Sequence, residues 1–296
     1  MSQKRLTMIV NPRAGRRGFS RALGPALEIF DAAGYRLEVC FTQYSGHGRK
    51  LAAEHAAGSD LLVCMGGDGT LSEVVSGLMD VQARPQLGYI PMGSTNDMAA
   101  TLGMPSGSAA CARHILASGG RELDVGRTGD GQYFAYVAAF GAFTDVCYST
   151  PQEAKNKLGH LAYLLEGGAQ LANLPHYRCR VEYDGGAQEG DFIFGGLLNT
   201  VSMAGMLRFD ESLVDLQDGR FELLLVRTPK NAVELSDAVT DLLTRRYRGK
   251  EVTLVQTSQA RFLFQEPVPF TRDGEDGGTH RELLLSAVPR AIDFRA

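Results

Sequence analysis

Residues 64–75 read CMGGDGTLSEVV, and this stretch constrains the fold more than any other in the chain. The run before it, Leu61 to Met65, is uninterruptedly apolar, as a strand buried on both faces requires. Gly66, Gly67 and Gly69 follow, where the backbone must turn tightly. Beyond them Leu71, Val74, Val75 and Leu78 recur at helical spacing, and Thr70 with Glu73 three residues on is a capping-box pattern that starts the helix near Thr70. Strand, glycine turn and helix make half of a βα unit. In open parallel sheets ligands bind outside the carboxyl ends of the strands, and free amides at a helix start favour an anion such as phosphate. Asp68, in the middle of that turn, would repel a phosphate unless a cation or a proton-transfer network stood between them, so the pattern implies Mg²⁺ with a nucleotide. No Gly-Lys-Ser/Thr follows, so this is not a Walker A loop. Taken alone, the glycines are equally compatible with a plain tight turn.

The same pattern recurs on either side. Strand-like runs at 6–10, 36–41, 61–65 and 87–91 alternate with helix candidates near 20–33, 48–57, 71–79 and 97–102, the signature of a doubly wound parallel sheet. Three more strand ends then fall on one rim. The first strand leaves through Asn11, Pro12, Arg13, Ala14 and Gly15, with Arg16, Arg17 and Gly18 close behind; Thr42 ends the second; Gly93, Ser94, Thr95, Asn96 and Asp97 follow the fourth. Each has a dull alternative. Asn-Pro and Ser/Thr/Asn/Asp are common turn and cap residues, Asp97 can simply cap the helix that Gly103 and Pro105 close, and Arg16 and Arg17 can be solvated loop charges.

At 296 residues the chain can build two cores. Beyond Asp124 the texture changes: TGDGQ (128–132) and YDGGAQEGD (183–191) act as hairpin turns between apolar or alternating runs, an antiparallel pattern with helical insertions near 155–173 and 231–248. The expected division is a nucleotide-binding α/β domain over 1–127, an antiparallel β domain over 128–287, and a tail over 288–296 that can return to the first domain. A net charge of −4 argues against a sequence-independent nucleic-acid binder. Five dispersed cysteines suggest neither a disulfide framework nor a zinc CxxC pair, which fits a reducing cytoplasm. No apolar run approaches the ~18 residues of a membrane span, and His47, His114 and His280 lack metal-ligand spacing and read as loop or surface residues.

NPRAG, GGDGTLSEVVSGL and GYIPMGSTNDMAATLGMP, in that order and spacing, resemble the catalytic family of diacylglycerol kinases, which includes bacterial lipid kinases and the sphingosine and ceramide kinases. The resemblance runs on through VDLQDGRFELLLV (214–226) and TRDGEDGG (271–278), nearly the whole chain. It implies a first domain of the phosphofructokinase and NAD kinase type, a C-terminal β-sandwich, and ATP-dependent phosphorylation of a lipid hydroxyl, diacylglycerol giving phosphatidic acid, at the inner face of the membrane. It further implies ATP against Asn11, Pro12, Arg13, Ala14, Gly15, Thr42, Gly66, Gly67, Asp68, Gly69, Thr70, Glu73, Thr95 and Asn96. Asp273 matches the general base, with Glu275 as the alternative, and Asp68, Asp97 and Asp124 an acidic network joining nucleotide, Mg²⁺ and water. Arg272 departs from the apolar residue usual before that base. A second, structural Mg²⁺ maps to Asp215, Asp218 and the backbone carbonyl of Arg220, where the residues by themselves show only a hairpin turn at Asp218 and Gly219.

Two rivals stay open from sequence: an NAD kinase or other small-molecule kinase sharing GGDGT, and a non-catalytic nucleotide- or lipid-binding protein of the same fold. Oligomeric state is equally open, a homodimer included. The amphipathic segment 155–175 can line a lipid cleft or pack on a core, and RRYRGK (245–250), expected late in a helix, can meet anionic headgroups or be a solvated face.

Overall fold

The computed structural model describes residues 3–15, 19–141, 176–203, 205, 207–247 and 249–296. Two compact units result, one made of residues 1–125 with 289–296, the other of 126–288. The first alternates strand and helix: β1 (Arg5–Val10), α1 (Phe19–Ala32), β2 (Arg36–Phe41), α2 (His47–His55), β3 (Leu61–Gly66), α3 (Asp68–Met79), β4 (Gln86–Pro91), α4 (Asp97–Thr101), α5 (Ser108–Ala117) and the start of β5 (Gly120–Thr128). Its strands run parallel in the order β2-β1-β3-β4, and the chain's last residues add a further parallel strand, pairing Phe294 and Arg295 with Leu87 and Gly88.

Alternation along the strands explains how the helices are distributed. Leu6, Met8 and Val10, with Leu61, Val63 and Met65, form one core with Ala26 and Phe30 of α1 and Cys111, Ala112 and Ile115 of α5. The intervening Ile9, Leu62 and Cys64 are equally buried, and α2 and α3 pair with one another over that other face, so the sheet is covered on both sides. Each such fully buried aliphatic residue contributes about 1.5–3 kcal/mol of transfer free energy. Helix α5 was not expected from the sequence, because its buried set, Cys111, Ala112 and Ile115, is too short and too small for a clear period.

The second unit is antiparallel. It takes in the end of β5, then β6 (Tyr133–Phe134), β7 (Val137–Gly141), β8 (Tyr177–Tyr183), β9 (Gly186–Leu198), β10 (Ser202–Met203), β11 (Leu207–Arg208), β12 (Phe221–Arg227), helix α6 (Ala232–Thr244), β13 (Val252–Thr257), β14 (Gln259–Arg272) and most of β15 (Glu275–Arg295). The long strands β9 and β14 each pair with β8 through one half and with β7 through the other, which wraps the sheet around Phe140, Phe192, Phe262, Phe264 and Phe270. Asp184 and Gly185 close the β8–β9 hairpin, and Asp273 and Gly274, both with positive φ, close β14–β15.

Two expectations need correction here. Helix α6 stops at Thr244, where Arg245 adopts a left-handed conformation, so Arg245 and Arg246 follow the helix rather than serving its last turn. Asp218 and Gly219 do not join two strands. They follow a 3₁₀ turn over Glu211–Leu213 and lead into β12, and Asp215 and Asp218 each fold their carboxylate onto the backbone two residues on, accepting from Gln217 N at 3.0 Å and Arg220 N at 2.8 Å. The segments 16–18 and 142–175, which hold Arg16, Arg17 and the amphipathic stretch, lie outside the described residues, as does Arg248 within RRYRGK.

Candidate active site

In the first unit the loops leaving β1, β3 and β4 are laced into one rim. Asn11 N donates to Met65 O at 2.9 Å, Met92 N to Gly66 O at 2.7 Å, and Thr42 N, just past β2, to Val10 O at 2.9 Å. Asn11 spends its side chain on the same scaffold, accepting from Arg13 N and donating to Thr70 Oγ1, both at 2.9 Å. Gly67 and Gly93 touch backbone to backbone: a Cβ on Gly93 would come within 2.8 Å of Gly67 Cα and 2.7 Å of Asn96 Oδ1. Gly15, at φ +69°, lies against the Met92 carbonyl. These glycines are therefore required by loop-on-loop packing, whatever else approaches them. Asn96, itself left-handed at φ 53°, binds both the amide and the carbonyl of Gly93 at 2.8 Å, and Thr95 sits beside it on the same loop.

Helix α3 begins at Asp68, two residues before the expected start, with Gly67 as its N-cap, a residue with no side chain to cap with. The first intrahelical bond is Leu71 N to Gly67 O, so the amides of Asp68, Gly69 and Thr70 stand at the positive end of a twelve-residue helix. The capping box does not form. Glu73 instead reaches across to α2, accepting from Gly46 N at 2.6 Å and Gly48 N at 2.8 Å, where Gly46 supplies no cap of its own. The carboxylate of Asp68 accepts from Asp97 N at 3.0 Å and Met98 N at 3.3 Å, so Asn96 occupies the N-cap position of α4 while Asp68 does the capping. Asp97 is buried, 3 % exposed. Burial pushes the Tyr89 phenol well up, and the charges of Asp68, Cys64 and Asp97 push it further. A concentrated pair of carboxylates beside uncapped helix amides suits a divalent cation and a phosphate together.

Asp124 lies on β5, also buried, and its carboxylate accepts from Arg290 N at 2.7 Å, where φ is +51°. It secures the residue just after the chain re-enters the first unit.

In the second unit Asp273 is 3 % exposed and accepts three backbone N–H groups, from Ala135 at 2.6 Å and from Tyr136 and Val137 at 3.0 Å each, while its own amide donates to Val137 O at 2.8 Å. Glu275 opens β15 and is exposed. Asp215, Asp218 and Arg220 form an exposed loop, and the structure adds a residue that sequence reading missed. Glu222, on β12, is fully buried, its carboxylate oxygens short of well-formed hydrogen bonds although the Gln256 side chain lies close, and burial pushes it up to about 8 against the opposing pull of Gln256, with the charges of Asp218 and Asp215 adding least. The ligand atoms of Asp215, Asp218 and Glu222 do not gather into one cluster among the described residues, since the first two carboxylates are turned onto their own loop. The signal for Glu222 was a lone acid in FELLLV, a run otherwise apolar from Phe221 to Val226.

Of the histidines, His47 accepts from Gln43 N and stacks on Tyr44, and His280 bonds Gly277 O. His114 departs from the surface reading, its Nε2 being buried without a partner.

Residues 5–128 match the family model of the diacylglycerol kinase catalytic domain. The chain is 33 % identical over 279 residues to the diacylglycerol kinase of Bacillus subtilis strain 168, covering 93 % of this chain and 91 % of that one. It is 36 % identical over 242 residues to the diacylglycerol kinase of Staphylococcus aureus strain bovine RF122 / ET3-1, 80 % of this chain and 75 % of that one. Among solved structures, a diacylglycerol kinase from Bacillus anthracis strain Sterne superposes with a TM-score of 0.75 at 20 % identity, covering 100 % of this chain and 97 % of that one, which shows a shared fold. The chain belongs to the diacylglycerol kinase family, and is thus an enzyme of the lipid kinase class.

Proposed function

We propose that this protein transfers the γ-phosphate of ATP to the free hydroxyl of diacylglycerol, giving phosphatidic acid and ADP. The observation that carries this reading is the rim: three strand-end loops locked together by Asn11, Gly67, Gly93 and Asn96, with uncapped α3 amides and Asp68 beside Asp97. Because the rim side chains hold the loops to one another, the backbone amides of Asp68, Gly69 and Thr70 are the groups that meet phosphate oxygens. Asp68 and Asp97 would hold Mg²⁺, which would neutralise charge on the phosphates. Asp124, the third acid of the family's network, has its carboxylate on the Arg290 amide.

Phosphoryl transfer asks chiefly for placement and charge stabilisation, and the acceptor alcohol must also lose a proton. Asp273 takes that proton, with three amides preventing its carboxylate from rotating, and Glu275 stands next to it as the second acid of the turn. The folds of both units, a phosphofructokinase- and NAD kinase-like α/β domain and a β-sandwich, follow the family. A structural Mg²⁺ would be held by Asp215, Asp218 and the Arg220 carbonyl, as the family resemblance implies. The acceptor resides in a bilayer, so the protein works peripherally at the membrane surface; among the described residues no helix is long and apolar enough to cross it. Labelled ATP offered with diacylglycerol, sphingosine, phosphatidylglycerol and NAD tests the reading: label in phosphatidic acid is expected, while label in NAD alone, or ATP binding with no transfer, would overturn it.

A further inference from the structure

Outside the rim, one cluster joins three kinds of metal-ligating side chain. Cys40 Sγ lies 3.6 Å from His55 Nε2, and His55 Nδ1 lies 3.2 Å from Glu38 Oε2. Glu38 and Cys40 are two apart on β2 and so share a face of this edge strand, while His55 closes α2. The ligand atoms of all three fall within 4.8 Å of one another. We propose that this cluster binds a borderline-soft divalent cation of the zinc type, with Cys40 Sγ and His55 Nε2 as ligands and Glu38 fixing the imidazole from its other nitrogen.

The geometry argues for those roles. With Zn–S near 2.3 Å and Zn–N near 2.05 Å, a tetrahedral angle at the metal needs sulfur and nitrogen about 3.6 Å apart, which is the separation found. A carboxylate on the far ring nitrogen is the usual outer partner of a metal-bound histidine, setting its tautomer and orientation. Thiolate with imidazole selects a borderline-soft ion over Mg²⁺, which prefers oxygen. Glu38 and Glu54 are the acidic groups beside the pair, and their charges favour a cation there. A cavity of about 400 Å³ beside His55, lined by Glu38, Glu54 and Ser59 and also by Arg5 and Arg36, gives water access on the imidazole side. On binding, the thiol proton passes to solvent as the sulfur–metal bond forms, and no electron changes hands.

Titrating the full-length, metal-stripped chain with Cd²⁺ and following the thiolate-to-cadmium ultraviolet band tests this directly. One equivalent should bind and develop the band, Cys40→Ser should lose it, and Glu38→Gln should keep it while weakening binding about 10–100-fold. His55→Ala should weaken binding at least tenfold, and Zn²⁺ should raise the melting temperature of wild type but not of Cys40→Ser. No band in wild type, an undiminished band in Cys40→Ser, or a band abolished instead by Cys147→Ser would overturn the site.

Discussion

Asp68 and Asp273 use one device in two units with different results. Both are carboxylates that accept backbone amides from a neighbouring loop. Asp68 takes two, at 3.0 and 3.3 Å, and is partly exposed. Asp273 takes three, at 2.6, 3.0 and 3.0 Å, and is buried. The lesson is that a carboxylate proposed for chemistry can also be a structural clamp, and the two roles weigh differently at the two sites. At Asp68 charge near a phosphate site dominates, and at Asp273 loss of the side chain strands three buried donors.

Asp273→Ala should therefore show the largest effect, losing phosphatidic acid formation together with stability. Leaving buried amides unpaired costs about 1–3 kcal/mol each, so chemical denaturation should find a loss of several kcal/mol. Glu275→Gln, at an exposed position, should leave the midpoint in place. A fully stable Asp273→Ala protein would break the contrast between the two aspartates.

Next in size, Gly93→Ala should shift the rim, because its Cβ would meet Gly67 Cα and Asn96 Oδ1. A loss of about 1–3 kcal/mol, as overpacking usually costs, should come with weaker ATP binding. Normal stability and affinity would show that the loops part without cost.

The cation proposed at Asp215 and Asp218 predicts that Mg²⁺ raises the melting temperature of wild type and not of Asp218→Asn. A site at 100 times its Kd stabilises by about 2.7 kcal/mol. Glu222→Gln should melt higher than wild type at pH 7 without metal, since burial raises the native carboxyl to about 8 and the neutral amide escapes that cost.

The smallest effect belongs to Asp184, whose carboxyl lies below the ordinary range because Ser258 donates to it from backbone and side chain. A lowered native pKa gives stability that is present above the usual carboxylate value and lost as pH falls through the native one. The group is mostly exposed, so Asp184→Asn should cost little at pH 7, and nothing once the wild-type carboxyl is protonated.

The strands and the larger helices of the first unit were legible because each is a contiguous run whose period is visible within ten residues, as LLVCM and LSEVV show. The rim's membership was legible for the same reason, since its residues sit at strand ends. The use of its side chains was not, because the partners are distant in sequence. Asn11 binds Thr70, Glu73 binds Gly46 and Gly48, and Asp273 meets amides 136–138 residues away. Glu73 shows the limit well. Its spacing from Thr70 satisfied a local rule, and a tertiary partner with two uncapped amides outcompeted it.

In the proposed reading the rim is a site for ATP with Mg²⁺, its backbone meeting the phosphates and Asp68 acting through the cation. Calorimetric ATP affinity for wild type and Asp68→Asn, each with and without Mg²⁺, measures this most directly. Wild type should bind far more tightly with Mg²⁺, Asp68→Asn should lose that increment, and its turnover should fall on the order of 10²-fold or more, as when a transition-state charge partner is removed. An equal Mg²⁺ increment in both proteins would contradict the claim.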